Sequence, residues 1–347
     1  MGRKRQIVVF ICITSIIIGS LYLLQRLVVP KYMSGIVEGA MIAEYYKEEK
    51  DHDVIFIGDC EVYENFTPAV LWEEYGIHSY IRGSAQQLIW QSYYLLEETL
   101  TYETPDIVIF NVLSMKYNMP QKETYNRMTL DGMKWSSSKI KSIQASMLEE
   151  ENFLDYVFPI LRYHSRITEL TADDFNYLFH RDNVTFQGYY MRVDVKPVES
   201  VPSARALADY TFGETAYEYL DKITTLCKEK GVQLILMKAP SLYPYWYKEW
   251  EAQIEEYAKE NDLIYINFLE LIEECSLDFT TDTYDAGLHL NLSGAEKITR
   301  WLGNFLTTEC GLKSRKGEQK LELVWKTKLE GYYVEIERQT KEWENKK

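Results

Sequence analysis

The chain has 347 residues, 46% of them hydrophobic and 26% charged, which fits a folded protein and excludes a disordered one. Net charge is −15 and uneven: residues 1–35 carry five Lys or Arg and no acid, leaving 33 basic against 53 acidic groups in the remainder. A body that negative argues against nucleic-acid binding, which needs a basic footprint. Five Cys with no CxxC pair and no Cys/His ligand spacing argue against a structural zinc or a disulfide-stapled scaffold.

Arg3-Lys4-Arg5 precede an 18-residue apolar run, Ile7 to Leu24. At 1.5 Å per residue it spans about 27 Å, close to the hydrocarbon thickness of a bilayer. No A-x-A cleavage site follows, so an uncleaved anchor is expected rather than a signal peptide. The basic cluster stays cytoplasmic and places the rest of the chain outside the cell. Residues 1–30 therefore read as a transmembrane signal anchor and 31–50 as a juxtamembrane helix or linker.

Asp53-Val54-Ile55-Phe56-Ile57, ending at Gly58, reads as a fully buried strand with a tight turn. A second short strand is Ser79-Tyr80-Ile81, ending at Gly83. Helical spacing runs from Gln86 to Leu100, and Pro105 introduces a third strand, Ile107 to Phe110. A helix from Thr215 to Lys228 stops at Gly231, and Val232 to Met237 is the fourth strand. Trp246 to Glu260 is helical, Leu263 to Phe268 is the fifth strand, and Ser293 opens a last helix to Leu306. Strands alternating with helices imply βαβ units: a three-layer, flavodoxin-like α/β fold with a five-stranded parallel sheet over 51–312. Residues 115–212 interrupt the alternation and read as an inserted lid. Residues 313–347 form a charged C-terminal helix packed on the body, with Leu321, Trp325, Leu329 and Tyr332 at helical spacing.

In such sheets chemistry gathers at the carboxyl ends of the strands. Gly58-Asp59-Cys60-Glu61 follows strand one directly. A thiol there meets helix-turn N–H groups, which stabilise a thiolate and bind an oxyanion; a buried structural Cys is the plain alternative. Asp59 and Glu61 act against the thiolate, and Glu61 also has the option of facing solvent. The expectation is that the N–H groups and a histidine base prevail. That base is His289, in a Gly-containing loop before the last helix, with Asp285 or Asp282 upstream to orient it; Asp285 is favoured by proximity. A surface His beside a helix cap is the plain alternative. Arg162, His164 and Arg166 could bind an anionic polymer or form a structural ion-pair cluster. Tyr243 to Tyr247 could stack on sugars or start a helix.

These motifs resemble the SGNH/GDSL hydrolase superfamily. Gly58-Asp59-Cys60 resembles its block I, with Cys in place of Ser. Gly83 matches the block II glycine, whose N–H would join Cys60 N–H in the oxyanion hole. The His289 loop matches block V, where Asp and His complete the triad. Two further departures stand out: Leu113-Ser114-Met115-Lys116 replaces the block III Gly-x-Asn-Asp, and Asp285 lies one residue further from His289 than the family spacing. Asn111, Lys116 or Asn118 could supply the missing donor, and Asn111 is a candidate substrate contact. Gly58-Asp59-Cys60-Glu61-Val62-Tyr63, Leu71-Trp72-Glu73-Glu74-Tyr75-Gly76-Ile77, Arg162-Tyr163-His164-Ser165-Arg166 and His289-Leu290-Asn291 also look like segments of anchored SGNH-like proteins of Gram-positive anaerobes. Related anchored proteins transfer D-alanine to teichoic acid or O-acetylate alginate and peptidoglycan beside a multi-pass MBOAT acyltransferase.

The resemblance implies an extracytoplasmic acyltransferase or esterase. It would act on O-acyl groups of a cell-envelope polysaccharide or wall polymer through a Cys60-acyl intermediate, with no metal or cofactor and with an MBOAT-type partner. The alternative is an SGNH-fold binding or assembly module that has lost the chemistry, which the altered blocks III and V favour.

Overall fold

The computed structural model describes residues 2–32, 36–37, 39–201 and 203–346. Helix α1, Arg3–Val28, is long and apolar enough to cross a membrane, and the body buries almost none of it. Two short strands, Lys31–Tyr32 and Ile36–Val37, pair antiparallel before a helical turn at Ala40–Glu44. The segment expected as a linker, 31–50, thus holds two mutually paired strands and a helical turn; its residues 33–35 and 38 lie outside the described residues.

Five strands build the main sheet: β1 Val54–Gly58, β2 Ser79–Gly83, β3 Ile107–Asn111, β4 Gln233–Lys238 and β5 Ile264–Asn267. All pairs are parallel, in the order β2-β1-β3-β4-β5. Four of these strands are almost continuously apolar, as expected when both sheet faces are covered. Alternate side chains enter two cores. Ile55, Ile57, Val108, Phe110, Leu234 and Leu236 pack with helices α2 (Ile89–Tyr102), α3 (Glu214–Lys230) and α4 (Lys248–Glu260). Val54, Phe56, Ile107, Ile109, Ile235 and Met237 pack with α5 (Leu292–Thr308) and Tyr332 of α6 (Gln319–Glu344). This is the expected three-layer α/β fold.

Helix α2 starts three residues later than its hydrophobic spacing predicts. Gln86 takes a left-handed φ of 51°, and the Gln91 side chain accepts the Leu88 N–H at 3.0 Å, fixing the helix start there. The region expected as a lid over 115–212 is two structures. Helical segments between Glu123 and Phe179 pack on α2 and on the end of α1. An extended strap follows and borders the strand ends: Tyr190 N–H donates to Tyr63 O at 2.7 Å, and Lys196 N–H to Thr283 O at 2.9 Å. Helix α6 closes the other side. Trp325 stacks on Trp72 at 5.4 Å, and its Nε1 donates to His78 Nδ1 at 3.1 Å.

Candidate active site

The chain leaves β1 for β2 on one side and then returns past β1 to β3, so the crevice between β1 and β3 is a topological switch point. Two close approaches shape it. A Cβ on Gly58 would lie 2.9 Å from Asn111 Cβ, and one on Gly83 would lie 3.1 Å from Gly58 O and 3.2 Å from Asp59 O. Glycine at both positions lets the ends of β1 and β2 meet tightly enough to hold the next turn.

That turn is Cys60–Tyr63, capped by Asp59, whose Oδ1 accepts the Glu61 N–H at 3.0 Å. Val62 N–H donates to Asp59 O at 3.1 Å. Glu61 and Val62 N–H are thus consumed, and Cys60 N–H, at the start of the turn, is the candidate donor. Cys60 keeps partial exposure.

Glu61 does not face solvent. It is fully buried, and Lys238 Nζ donates to its two oxygens at 2.8 and 3.1 Å. Asn111 Nδ2 donates to Glu61 Oε2 at 3.0 Å and to Asp59 Oδ1 at 3.1 Å. This corrects the expectation for Asn111: its amide is buried and committed beneath the turn, so it is neither a substrate contact nor a free oxyanion donor. Asn118 is exposed, and its Oδ1 accepts Thr215 N–H at 2.9 Å, which fastens it to the start of α3. Lys116 faces Asp59, Glu61 and the Cys60 thiol; burial lowers its proton affinity and those three groups oppose the loss.

The His289 loop turns back on itself. Ala286 and Gly287 take left-handed φ of 68° and 98°, a strained choice for alanine. The reversal lets Asp285 clamp His289 twice: Oδ2 meets Nδ1 at 2.7 Å, and Oδ1 accepts the His289 N–H at 2.8 Å. Tyr243 OH donates to Asp285 O at 2.6 Å, and Asn65 Oδ1 accepts Leu290 N–H at 2.8 Å, tying the loop to the turn after β1. Asp282, the other candidate, is elsewhere. Its carboxylate accepts from Ser293 Oγ at 2.8 Å and Lys297 Nζ at 2.6 Å, fastening the start of α5.

With Nδ1 held by Asp285, Nε2 is buried and has no partner at hydrogen-bond geometry. The Cys60 thiol lies near enough that thiol and imidazole bias each other's protonation. Catalytic contacts are commonly long in an unliganded site. Burial pushes the Cys60 thiol up, Asp59 and Glu64 push the same way, and His289 opposes them. The expectation that backbone donors would prevail is overturned, because the turn spends two of its N–H groups internally and carboxylates surround the sulfur. His289 is held protonated well above its ordinary range: burial opposes the charge, but Cys60, Glu64 and Asp285 outweigh it. Burial, then Glu61, pushes Asp59 up to about 6.

Sequence reasoning missed Glu64, Tyr284 and Lys238. Glu64 Oε2 lies 3.6 Å from His289 Nδ1 and accepts a short hydrogen bond from Tyr284 OH. Its signal was its place four residues after Cys60, which puts both on one face of a helical turn. The signal for Lys238 was a charge closing an otherwise apolar buried strand at its carboxyl end. Arg162, His164 and Arg166 fall outside the site. Arg162 pairs with Glu123 at 2.9 Å, His164 bonds Leu161 O, and Arg166 Nη1 donates to Val28 O at 2.9 Å. They fasten the helical insertion to itself and to α1. Trp246 and Tyr247 pack with Trp250 as a helix start.

No family description and no curated protein sequence matches the chain. Among solved structures it is similar to a protein assigned as lipolytic, of the G-D-S-L family, from Desulfitobacterium hafniense DCB-2, at 13% identity and TM-score 0.39, covering 73% of this chain and 99% of that one. It is also similar to a GDSL-like lipase from Bacteroides thetaiotaomicron VPI-5482, at 14% identity and TM-score 0.36, covering 79% of this chain and 100% of the other.

Proposed function

We propose that the chain is a membrane-anchored SGNH-type acyl-transfer enzyme, an esterase or acyltransferase, that handles O-acyl groups of an envelope polysaccharide or wall polymer through a Cys60-acyl intermediate. The observation that carries this reading is the series Asp285, His289, Cys60, ordered by hydrogen bond and proximity at the carboxyl end of β1. Asp285 holds the imidazole by Nδ1 and leaves Nε2 toward the thiol. The pair must first lose one proton, since burial and carboxylates hold the proton on the thiol while Cys60, Glu64 and Asp285, against burial, hold one on the imidazole. The Cys60 thiolate then attacks the acyl carbonyl, with His289 protonated beside it. The oxyanion is received by Cys60 N–H and Gly83 N–H, with Lys116 as a nearby cation. Collapse forms the thioester, and the leaving alkoxide takes the proton from His289 Nε2. A water or polymer hydroxyl then gives its proton to His289 and attacks the thioester, releasing Cys60. Helix α1 keeps the site at the cell surface, beside an MBOAT-type partner that would deliver the acyl group.

A second reading, a non-catalytic SGNH-fold binding module, is favoured by the protonated Cys60 thiol and the committed Asn111 amide. Intact-mass analysis with p-nitrophenyl acetate separates the two. One acetyl adduct is expected, absent in Cys60→Ala and strongly slowed in His289→Ala. Its release by water or by an added polysaccharide distinguishes hydrolysis from transfer. Folded protein that forms no adduct across neutral and alkaline pH supports the binding module.

A further inference from the structure

The helical insertion carries apolar side chains that neither core uses. Leu154, Phe158, Leu161, Ile167, Phe175 and Phe179 are 48–75% exposed, on consecutive short helical segments. So many large exposed hydrophobics in one segment mark an interface. Their position says with what. The segments Pro159–Tyr163, His164–Glu169 and Ala172–Phe179 pack against α1. Twenty-six helical residues span about 39 Å against about 30 Å of hydrocarbon, so the last turns of α1 reach headgroup depth.

At that level a cavity of about 370 Å³ opens between α1 and the insertion, with Tyr22, Arg26, Trp135, Tyr177 and Arg181 on its wall. Trp135 is 53% exposed, and exposed Trp and Tyr at this depth are the usual composition of a membrane–water boundary. The wall is also cationic. Burial and the Arg26 guanidinium both lower the proton affinity of Arg181, and Arg26 Nε is buried without a partner. Of the acids on the wall, burial raises Glu44 to about 7 and so reduces its charge, and Asp131 pairs with Arg127, which leaves Asp182. Two neighbouring guanidiniums with so little countercharge suit a phosphate.

We propose that the insertion docks on the membrane leaflet where α1 emerges, with its exposed apolar side chains at the acyl boundary and the phosphate of one lipid headgroup between Arg26 and Arg181. This rests on the anchored reading above. The test uses the full chain in nanodiscs of phosphatidylcholine and phosphatidylglycerol with two bromolipids in separate runs, one brominated near the headgroup to reach the insertion and one brominated deep in the acyl chain to reach Ile13 at the middle of α1. Three fluorescence reporters are read: native Trp135 (by difference from Trp135→Phe), Phe179→Trp on the insertion, and Ile13→Trp within α1. Bromolipid quenching of all three is expected, with little quenching of Trp135 or Phe179→Trp by aqueous iodide. Native mass spectrometry should retain one phospholipid, and Arg26→Gln and Arg181→Gln should each cut retention about tenfold, the size of one charge-assisted hydrogen bond. If iodide quenches Trp135 and Phe179→Trp while bromolipid quenches only Ile13→Trp, docking is wrong and the anchor stands. An Ile13→Trp that bromolipid does not reach overturns the anchor and the docking together. Unchanged retention in the double arginine variant removes the headgroup site.

Discussion

The buried pair beneath Cys60 gives the sharpest stability test. Lys238 and Glu61 side chains are at most 1% exposed and meet at 2.8 Å. Lys238→Met keeps the aliphatic stem and removes the ammonium, leaving Glu61 buried with Asn111 as its remaining side-chain donor. Losing one partner of a buried pair costs about 3–5 kcal/mol, because the other charge stays desolvated. For a domain of this size each kcal/mol moves Tm by about 2–4 °C, so the single variant should melt about 10 °C lower. Glu61→Gln in the same background removes the stranded charge and keeps an acceptor for Asn111 Nδ2. The double variant should regain most of the loss, a coupling of at least about 2 kcal/mol in the cycle. Thermal melting of the full chain in detergent, followed by near-UV circular dichroism, measures all four proteins. A Lys238→Met loss below about 1 kcal/mol, or strict additivity of the two changes, would refute the closed-pair argument.

Four further outcomes follow from the site and its electrostatics. Asp285→Asn should lower thioester formation at least about 100-fold by misorienting the imidazole, while Asp282→Asn should leave it within about twofold and cost about 1 kcal/mol of stability at α5; adduct rates and melts on both variants check the contrast. Iodoacetamide labelling of Cys60, followed by peptide mass mapping, should be slow at neutral pH and rise into the alkaline range, since the raised thiol leaves little thiolate below it. Glu64→Gln should move that profile to lower pH by removing a carboxylate that holds the protons; an unmoved profile would remove Glu64 from the site. Glu44 is buried, and burial raises it from 4.5 to about 7, so its folded form binds a proton that the unfolded form releases. The stability this gives is full below pH 4.5 and is lost as pH rises through 7, about 3 kcal/mol relative to Glu44→Gln; in urea melts from pH 5 to 8 the difference between the two proteins should change by most of that amount, and a difference that stays constant would show the reasoning wrong.

The sheet was legible because parallel strands buried on both faces are written as apolar runs. Asp53 to Ile57 and Ile107 to Phe110 announce themselves, and glycines mark where β1 and β2 must meet. Cys60, His289 and Asp285 were legible as residue types in order after those strands. The directions of charged side chains were not. Nothing local turns Glu61 inward; Lys238, 177 positions away, does so, and only the fold brings them together. The same cause misdirected the thiol: counting N–H groups on a turn does not reveal that Asp59 consumes two of them. The Arg162 to Arg166 cluster left a ligand site and a structural ion-pair cluster both open because its partners, Glu123 and the end of α1, are distant in sequence.

Helix α6 has a consequence for the order in which the molecule can be completed. Its Trp325 covers Trp72 and reaches His78, its Tyr332 OH accepts from Thr67 Oγ1 at 3.2 Å, and Lys328 pairs with Glu48. A segment made 247 to 280 residues later therefore seals residues that have long since left the ribosome. Until then Trp72 has no stacking partner, and the early strands wait beside an uncovered aromatic face. Contacts of such sequence separation form late and slowly, and surface left bare in the interval invites association between unfinished chains. A stop codon before Gln319 would leave that face permanently open, so synthesis of α6 sets how long the nascent body must be shielded.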